Sequence, residues 1–472
     1  MLFSSITFLY YFLPLVLILY ITLPFRYKNL WLLLSSLIFY AWGEPLYSIL
    51  ILLCILQGYL IGLRIEAARG TVRARRWLIL SVILSLGTLG FVKYYDFFAS
   101  NIKVLTHLPL PILSIALPLG ISFYTFQILS YTVDVYWGTV KAERNLLDFT
   151  AYAILFPQLV AGPIVRYSDI SHQLHQRTHS LSKIYLGSRR FIVGLGKKVL
   201  LANSFGMLCS KFDTSGDRSV LFYWVYAVAY TLQIYYDFSG YSDMAIGLGR
   251  MFGFEFMENF NYPYISKSIT EFWRRWHISL STFFRDYVYI PMGGNRVSKP
   301  RQLMNILVVW MLTGLWHGAA WNFVLWGLFF ASLLILEKFV FSNWIMISKR
   351  SVLSSVLSHS YVLLAVIISF VLFRAESLGQ AFLDLQGMFG LTEVPMVSQE
   401  SWYYLRSYGV LLLMGAIGST PIVKNGLLKL ISTRFGETIA IILEPAILVM
   451  LLLVVTGYLV DGSFNPFLYF RF

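Results

Sequence analysis

The stretch LMNILVVWMLTGLWHGAAWNFVLWGLFFASLLIL, residues 303–336, contains no Asp, Glu, Lys or Arg. It reads as two apolar runs, Leu303 to Trp316 and Ala320 to Leu336, with His317 between them. Hydrocarbon about 30 Å thick takes roughly 20 apolar residues per helical crossing. Runs of this kind recur at Ile6 to Leu23, Leu46 to Leu63, Trp77 to Phe98, Val220 to Ile234, Tyr361 to Leu372, Tyr408 to Ile422 and Thr438 to Leu459. Shorter or interrupted ones lie at Leu30 to Trp42, Leu117 to Trp137, Phe149 to Val165 and Phe191 to Leu208. Only 13% of the 472 residues are charged, against about 25% in ordinary soluble domains. The expectation is an all-α, polytopic integral membrane bundle of about eleven or twelve transmembrane helices.

The formal charge of +14 is explained by its placement. Arg64, Arg69, Arg73, Arg75 and Arg76 share one short connection between apolar runs, and such loops stay cytoplasmic. Counting spans back from this loop places the N-terminus outside. The remaining basic charge suits anionic lipid rather than nucleic acid. The first apolar stretch lacks a basic leader and a small-residue cleavage site, which reads as an uncleaved helix. Cys54 and Cys209 have no spacing that suggests a disulfide or a metal. With no repeat and no linker, residues 1–472 are read as a single membrane domain.

Ser268-Ile269-Thr270-Glu271 has the pattern of a capping box, so a helix is expected from Ser268 to Tyr287. Laid out at about 100° per residue, Ile269, Phe272, Trp273, Trp276, Leu280, Phe283, Phe284 and Tyr287 make one apolar arc, and Arg274, Arg275 and Arg285 fall on the other side. Such a segment spans poorly and suits the membrane interface. His277 falls at the border of its faces. The Pro291 and Gly293-Gly294 that follow end it in a tight turn.

Polar groups inside apolar runs are costly and face the bundle interior or a wet cavity. Gln127, Tyr131 and Asp134 share one helical face, as do Gln233 and Asp237; inter-helix hydrogen bonding and a channel lining are both open for them. His317 is followed by Asn322 and permits two readings, a hydrogen-bonded core histidine or an acid–base group that accepts and returns a proton. His172, His175 and His179 have helical spacing, but with only Asp169 nearby no metal site is expected. No phosphate-binding glycine loop, serine nucleophile elbow or zinc helix is present.

Taken jointly, several segments resemble the bacterial alginate O-acetyltransferase branch of the membrane-bound O-acyltransferase family. They are Pro118 to Gln127, Phe156 to Ile164, Arg189 to Val199, Asp237 to Asp243, Phe272 to Ser281, Phe284 to Arg296 and Thr313 to Gly318, with Met1 to Ser5 and the tail Asn465 to Phe470. The match is densest from 118 to 326. The resemblance implies a cytoplasmic funnel formed with interfacial amphipathic helices, a buried tunnel, and His317 as the catalytic histidine with His277 as its helper. It further implies Arg274, Arg275 and Arg285 near an anionic donor; Gln127, Asp237 and Asn322, from their place in or beside apolar runs, are the other candidate substrate-binding residues. The donor would be acetyl-CoA, entering from the cytoplasm as a substrate, with no bound cofactor. The partners would be a secreted or periplasmic SGNH-type acetyltransferase and the machinery that exports a polysaccharide, alginate or a related one. The resulting location is the bacterial inner membrane, multi-pass. Rival readings are a D-alanyl transferase for teichoic acid and a transporter or flippase, the latter expected to show inverted repeats that are not visible here.

Overall fold

The computed structural model describes residues 1–159, 162–341 and 351–462. Residues 160–161 of the Phe156 motif and the tail motif at 465–470 lie outside them. Every regular element among the described residues is helical. By its contacts the chain divides into two compact units, Met1–Phe191 with Ser242–Glu258, and Ile192–Tyr241 with Asn259–Phe472.

The first unit is built on α1 (Leu13–Thr22), α2 (Phe25–Ala41), α3 (Tyr47–Ala67), α4 (Val72–Leu89), α5 (Tyr95–Thr106), α6 (Ile121–Trp137), α7 (Leu146–Ala153), α8 (Phe156–Leu159), α9 (Tyr167–His175) and the start of α10 (Leu181–Gly196). Its core is aromatic: the Phe156 ring lies 5.5 Å from that of Phe12 and 5.4 Å from that of Phe39. Gly120 enters α6 at φ +74, where a Cβ would stand 2.6 Å from the Leu159 carbonyl oxygen, so only glycine fits this turn. The expected crossing at Phe149 to Val165 is instead the two short helices α7 and α8, because the chain turns between them before a span can form. His175 meets Glu143 (3.0 Å) and Asp148 (3.8 Å) rather than Asp169, which pairs with Arg166. Sequence spacing cannot show that approach. The two carboxylates are held by Tyr167, Asn145 and Asn29, so protein donors account for their hydrogen bonds.

The second unit takes the end of α10, a π-helical stretch at Lys197–Ala202, α11 (Asn203–Thr214) and the start of α12 (Val220–Met251). It continues with α13 (Ile269–Arg275), α14 (Ile278–Phe284), α15 (Lys299–His317), α16 (Trp321–Phe339), α17 (Val352–Arg374), α18 (Leu378–Met388), α19 (Gln399–Gly418), α20 (Ile422–Ile431) and α21 (Arg434–Val460). A core of buried residues from α11, α12, α13, α16, α17 and α18 holds it together.

Among the described residues, six helical stretches are long and apolar enough to cross a membrane, or seven if the pair α19 and α20, bent by 66°, forms one span. The chain is therefore multi-pass. The count is below the eleven or twelve expected, for a physical reason. Helices such as α6, α12 and α15 are long, but they carry Gln127, Asp134, Gln233, Asp237 and Asn305, which are all buried against protein. The stretch at Gly436–Val460 is the opposite case. Only 11% of its apolar window is buried, leaving its flanks to lipid.

Candidate active site

His317 is the last residue of α15, and Gly318 continues in extended conformation, so the chain leaves the helix directly after the imidazole. The ring is buried, at 5% exposure. Three aromatic rings meet it edge-on: Trp316 at 4.9 Å, Trp326 at 5.0 Å and Phe373 at 5.1 Å. Edge-to-face packing of this kind fixes ring orientation. Asn322 does not face the imidazole. Its Nδ2 donates to the carbonyls of Ala375 (2.9 Å) and Phe373 (3.4 Å), holding the end of α17 so that the Phe373 ring reaches His317.

The expected helix from Ser268 to Tyr287 is broken. It runs as α13 and α14, with Trp276 extended and His277 in the left-handed region at φ +44. A non-glycine residue there costs roughly 1–2 kcal/mol, so the surroundings must hold it. Asn259 does so. Its main-chain oxygen accepts from Ile278 N (3.0 Å), while Asn261 N donates to Arg275 O (2.9 Å). Its Oδ1 accepts from Ser279 N (3.2 Å) and Ser279 Oγ (2.9 Å), and stands 3.1 Å from His277 Nδ1. The Ser279 amide can only donate, so the atom it meets is the oxygen, and His277 Nδ1 must carry the proton. Complete burial then holds the imidazole well below its ordinary value, down to about 3, so His277 is neutral with its lone pair on Nε2. The capping box is half realised: Ser268 Oγ accepts from Glu271 N, but the Glu271 carboxylate accepts from Lys267 N rather than from Ser268.

His277 packs against the site instead of lining it. Phe238 meets its ring at 4.6 Å and Trp316 at 5.7 Å, so Trp316 touches both histidines. Phe238 follows Asp237, whose carboxylate pairs with Lys198 Nζ at 2.5 Å with both side chains buried. The π-helical stretch carries this lysine, and such a bulge inserts a residue that re-aims its neighbours.

A cavity of about 500 Å³ opens beside this layer, walled by α13, α14, α15 and α16. Trp273 and Trp310, 4.6 Å apart, make its aromatic side. Thr313, one helical turn before His317, lines it too, and Trp326 stands between Trp273 (5.6 Å) and His317 (5.0 Å). Arg285 and Lys338 bring positive charge to its wall. Glu337, at 4% exposure, accepts from Ile269 N, Thr270 N and Thr270 Oγ1 and so ties α13 to α16.

Of the arginines read as donor contacts, only Arg285 lines the cavity, paired with Asp286 at 2.7 Å. Arg275 braces the corner through Glu271 and the Asn261 carbonyl, and Arg274 is exposed. Gln127 lies on α6 in the first unit, buried, its Oε1 without a hydrogen-bond partner among the described residues. Sequence reading missed Asn259, Glu337, Lys338 and the Trp273–Trp310–Trp326 layer. The tryptophans were visible as residues, but the contacts joining α13 to α15 and α16 are long-range.

The sequence pattern of MBOAT, the membrane-bound O-acyltransferase family, matches residues 142–355. A relative from Azotobacter vinelandii called "Probable alginate O-acetylase AlgI" is 40% identical over the full length of both chains. One of the same name from Pseudomonas aeruginosa is 45% identical over 82% of this chain and 75% of its own. The "Peptidoglycan O-acetyltransferase" of Helicobacter pylori is 34% identical over 88% of this chain and 85% of its own. With the histidine and its cavity in place, this multi-pass chain belongs to the membrane-bound O-acyltransferase family, and its chemistry is O-acyl transfer.

Proposed function

We propose that the chain takes an acetyl group from acetyl-CoA on the cytoplasmic side and passes it to a hydroxyl acceptor across the bacterial inner membrane, for O-acetylation of an exported polysaccharide. Alginate is the foremost polymer, since relatives that match the whole chain carry that name. The observation that carries the reading is the cavity, which reaches Thr313 one turn from His317. His317 takes the acceptor hydroxyl proton as its oxygen attacks the thioester carbonyl carbon. The C–S bond then breaks, and the imidazolium returns the proton to the departing sulfur. Arg285 and Lys338 are available to donor phosphates, which guanidinium can grip bidentately. Aromatic walls keep water from the thioester.

His277, Asp237 and Asn322 are positioning residues in this scheme, acting through Trp316, Phe238 and Phe373. Arg274 and Arg275 contribute charge and bracing. The acceptor is a secreted or periplasmic SGNH-type acetyltransferase or the sugar itself, and the N-terminus faces outside by the positive-inside argument. The test compares His317→Ala with wild type at equal membrane levels. O-acetyl groups on the exported polymer and thiol release in proteoliposomes should both fall by at least about 100-fold, the typical share of general acid–base catalysis. Undiminished acetylation in this variant would sink the mechanism.

A further inference from the structure

Cationic side chains gather around Tyr20 in the first unit. Lys28 and Arg177 are each only 8% exposed. Lys28 Nζ stands 4.4 Å over the Tyr20 ring. Arg177 Nε donates to Tyr20 Oη (2.8 Å), and its Nη1 donates to the Gln173 and Leu174 carbonyls. Its guanidinium lies 4.6 Å over the Phe254 ring, and its Nη2 is buried without a hydrogen-bond partner among the described residues. Tyr20 Oη gives its own proton to the Phe252 carbonyl (2.6 Å) and lies 2.8 Å from His179 Nε2. Partial burial of the ring first, then the charges of Lys28, Arg177 and Lys183, lower His179 to about 4. Among the described residues, the only carboxylate paired with any of the four is Glu255, 3.4 Å from Lys183 and itself 64% exposed.

Buried charge without a counter-ion is costly, and removing one partner of a buried pair is strongly destabilising. A chain that keeps Lys28 and Arg177 together therefore has a use for an anion between them. We propose that Lys28, Arg177, His179 and Lys183 form a binding site for a phosphate group. Guanidinium and ammonium donors suit phosphate oxygens, and exposed His179 and half-buried Lys183 open the site to the surface. The phosphate has two sources, an anionic lipid headgroup, with which juxtamembrane basic residues interact, or a free phosphate.

The full-length protein is reconstituted in phosphatidylcholine nanodiscs, in the same discs with phosphatidylglycerol, and in the first discs with inorganic phosphate. Thermal unfolding is followed for wild type and Lys28→Met, which keeps the aliphatic stem over Tyr20. An anion should raise the wild-type midpoint by several degrees and the variant's by less than half as much, while in phosphatidylcholine alone the variant should match or exceed wild type. A response to phosphatidylglycerol alone assigns the lipid headgroup; a response to both anions assigns the phosphate itself. Equal shifts in wild type and variant, or none in either, overturn the site. Native mass spectrometry of the wild-type protein gives a reading independent of any variant, and the absence of a phosphorus-bearing adduct after exposure to either anion also overturns it.

Discussion

Replacing Asn259 tests whether the corner at His277 is held as described. Its Oδ1 faces Ser279 N, Ser279 Oγ and His277 Nδ1 within 3.2 Å, all in a buried setting. Asn259→Ala leaves these donors facing a void. The Ser279 hydroxyl can rotate away, but the amide and the imidazole N–H cannot. At about 1–3 kcal/mol for each of these two buried donors left unmade, the loss should come to about 2–6 kcal/mol. Asn259→Asp retains an acceptor oxygen and should cost well under half of that. Thermal unfolding of the purified protein measures the stabilities. Acetyl transfer in proteoliposomes measures the consequence: a loosened His277 frees Trp316, which touches His317, while Asn259 itself lines no part of the cavity. So kcat should fall in Asn259→Ala with the donor KM nearly unchanged. An alanine variant as stable as wild type, or one that loses KM and keeps kcat, refutes the reasoning.

His277 is held near 3 in the folded chain against an ordinary 6.5, so between these pH values the unfolded chain binds the extra proton and stability rises with pH. Denaturation as a function of pH should show this slope, and His277→Asn, which tolerates the left-handed backbone, should flatten it. The buried Lys198–Asp237 pair predicts a loss of about 3–5 kcal/mol for Lys198→Met or Asp237→Asn alone, because each leaves a buried charge or its partner stranded. The double variant should recover most of it, as a double-mutant cycle on unfolding midpoints would show. Glu337→Ala removes the acceptor of Ile269 N, Thr270 N and Thr270 Oγ1. It should destabilise by about 2–6 kcal/mol, at about 1–3 kcal/mol for each of two stranded amides, and should raise the donor KM, since α13 carries Trp273 into the cavity wall.

The class of fold was legible because apolar length is a one-dimensional property. Tyr47–Ala67 and Val352–Arg374 stand where hydropathy places them. The prominence of His317 was legible too, since it closes an apolar run. The break at His277 was not. The apolar arc of Ser268 to Tyr287 obeys helical spacing on both sides of the break, and what bends the chain is Asn259, 18 residues earlier. The arginines misled in a similar way. All three sit on the polar side of the arc, yet Arg275 is spent on Glu271 and the Asn261 carbonyl, contacts that only the folded corner creates. A charge pattern announces attraction to anions without saying which charges the protein itself consumes.

The helix pair bearing His317 has one further property. At Gly314 a Cβ would collide with the Phe323 carbonyl, and at Gly327 with that of Trp310. The backbones of α15 and α16 are therefore already as close as chains can come, and a side chain larger than glycine at either position would force them apart. Under the proposed function, the depth left for an acyl group is set like the stop of a gauge, by the indoles of Trp273 and Trp310 on the cavity wall with Trp326 packed behind Trp273. Paring back one indole would lengthen the chain that fits; prising the two helices apart would dismantle the gauge.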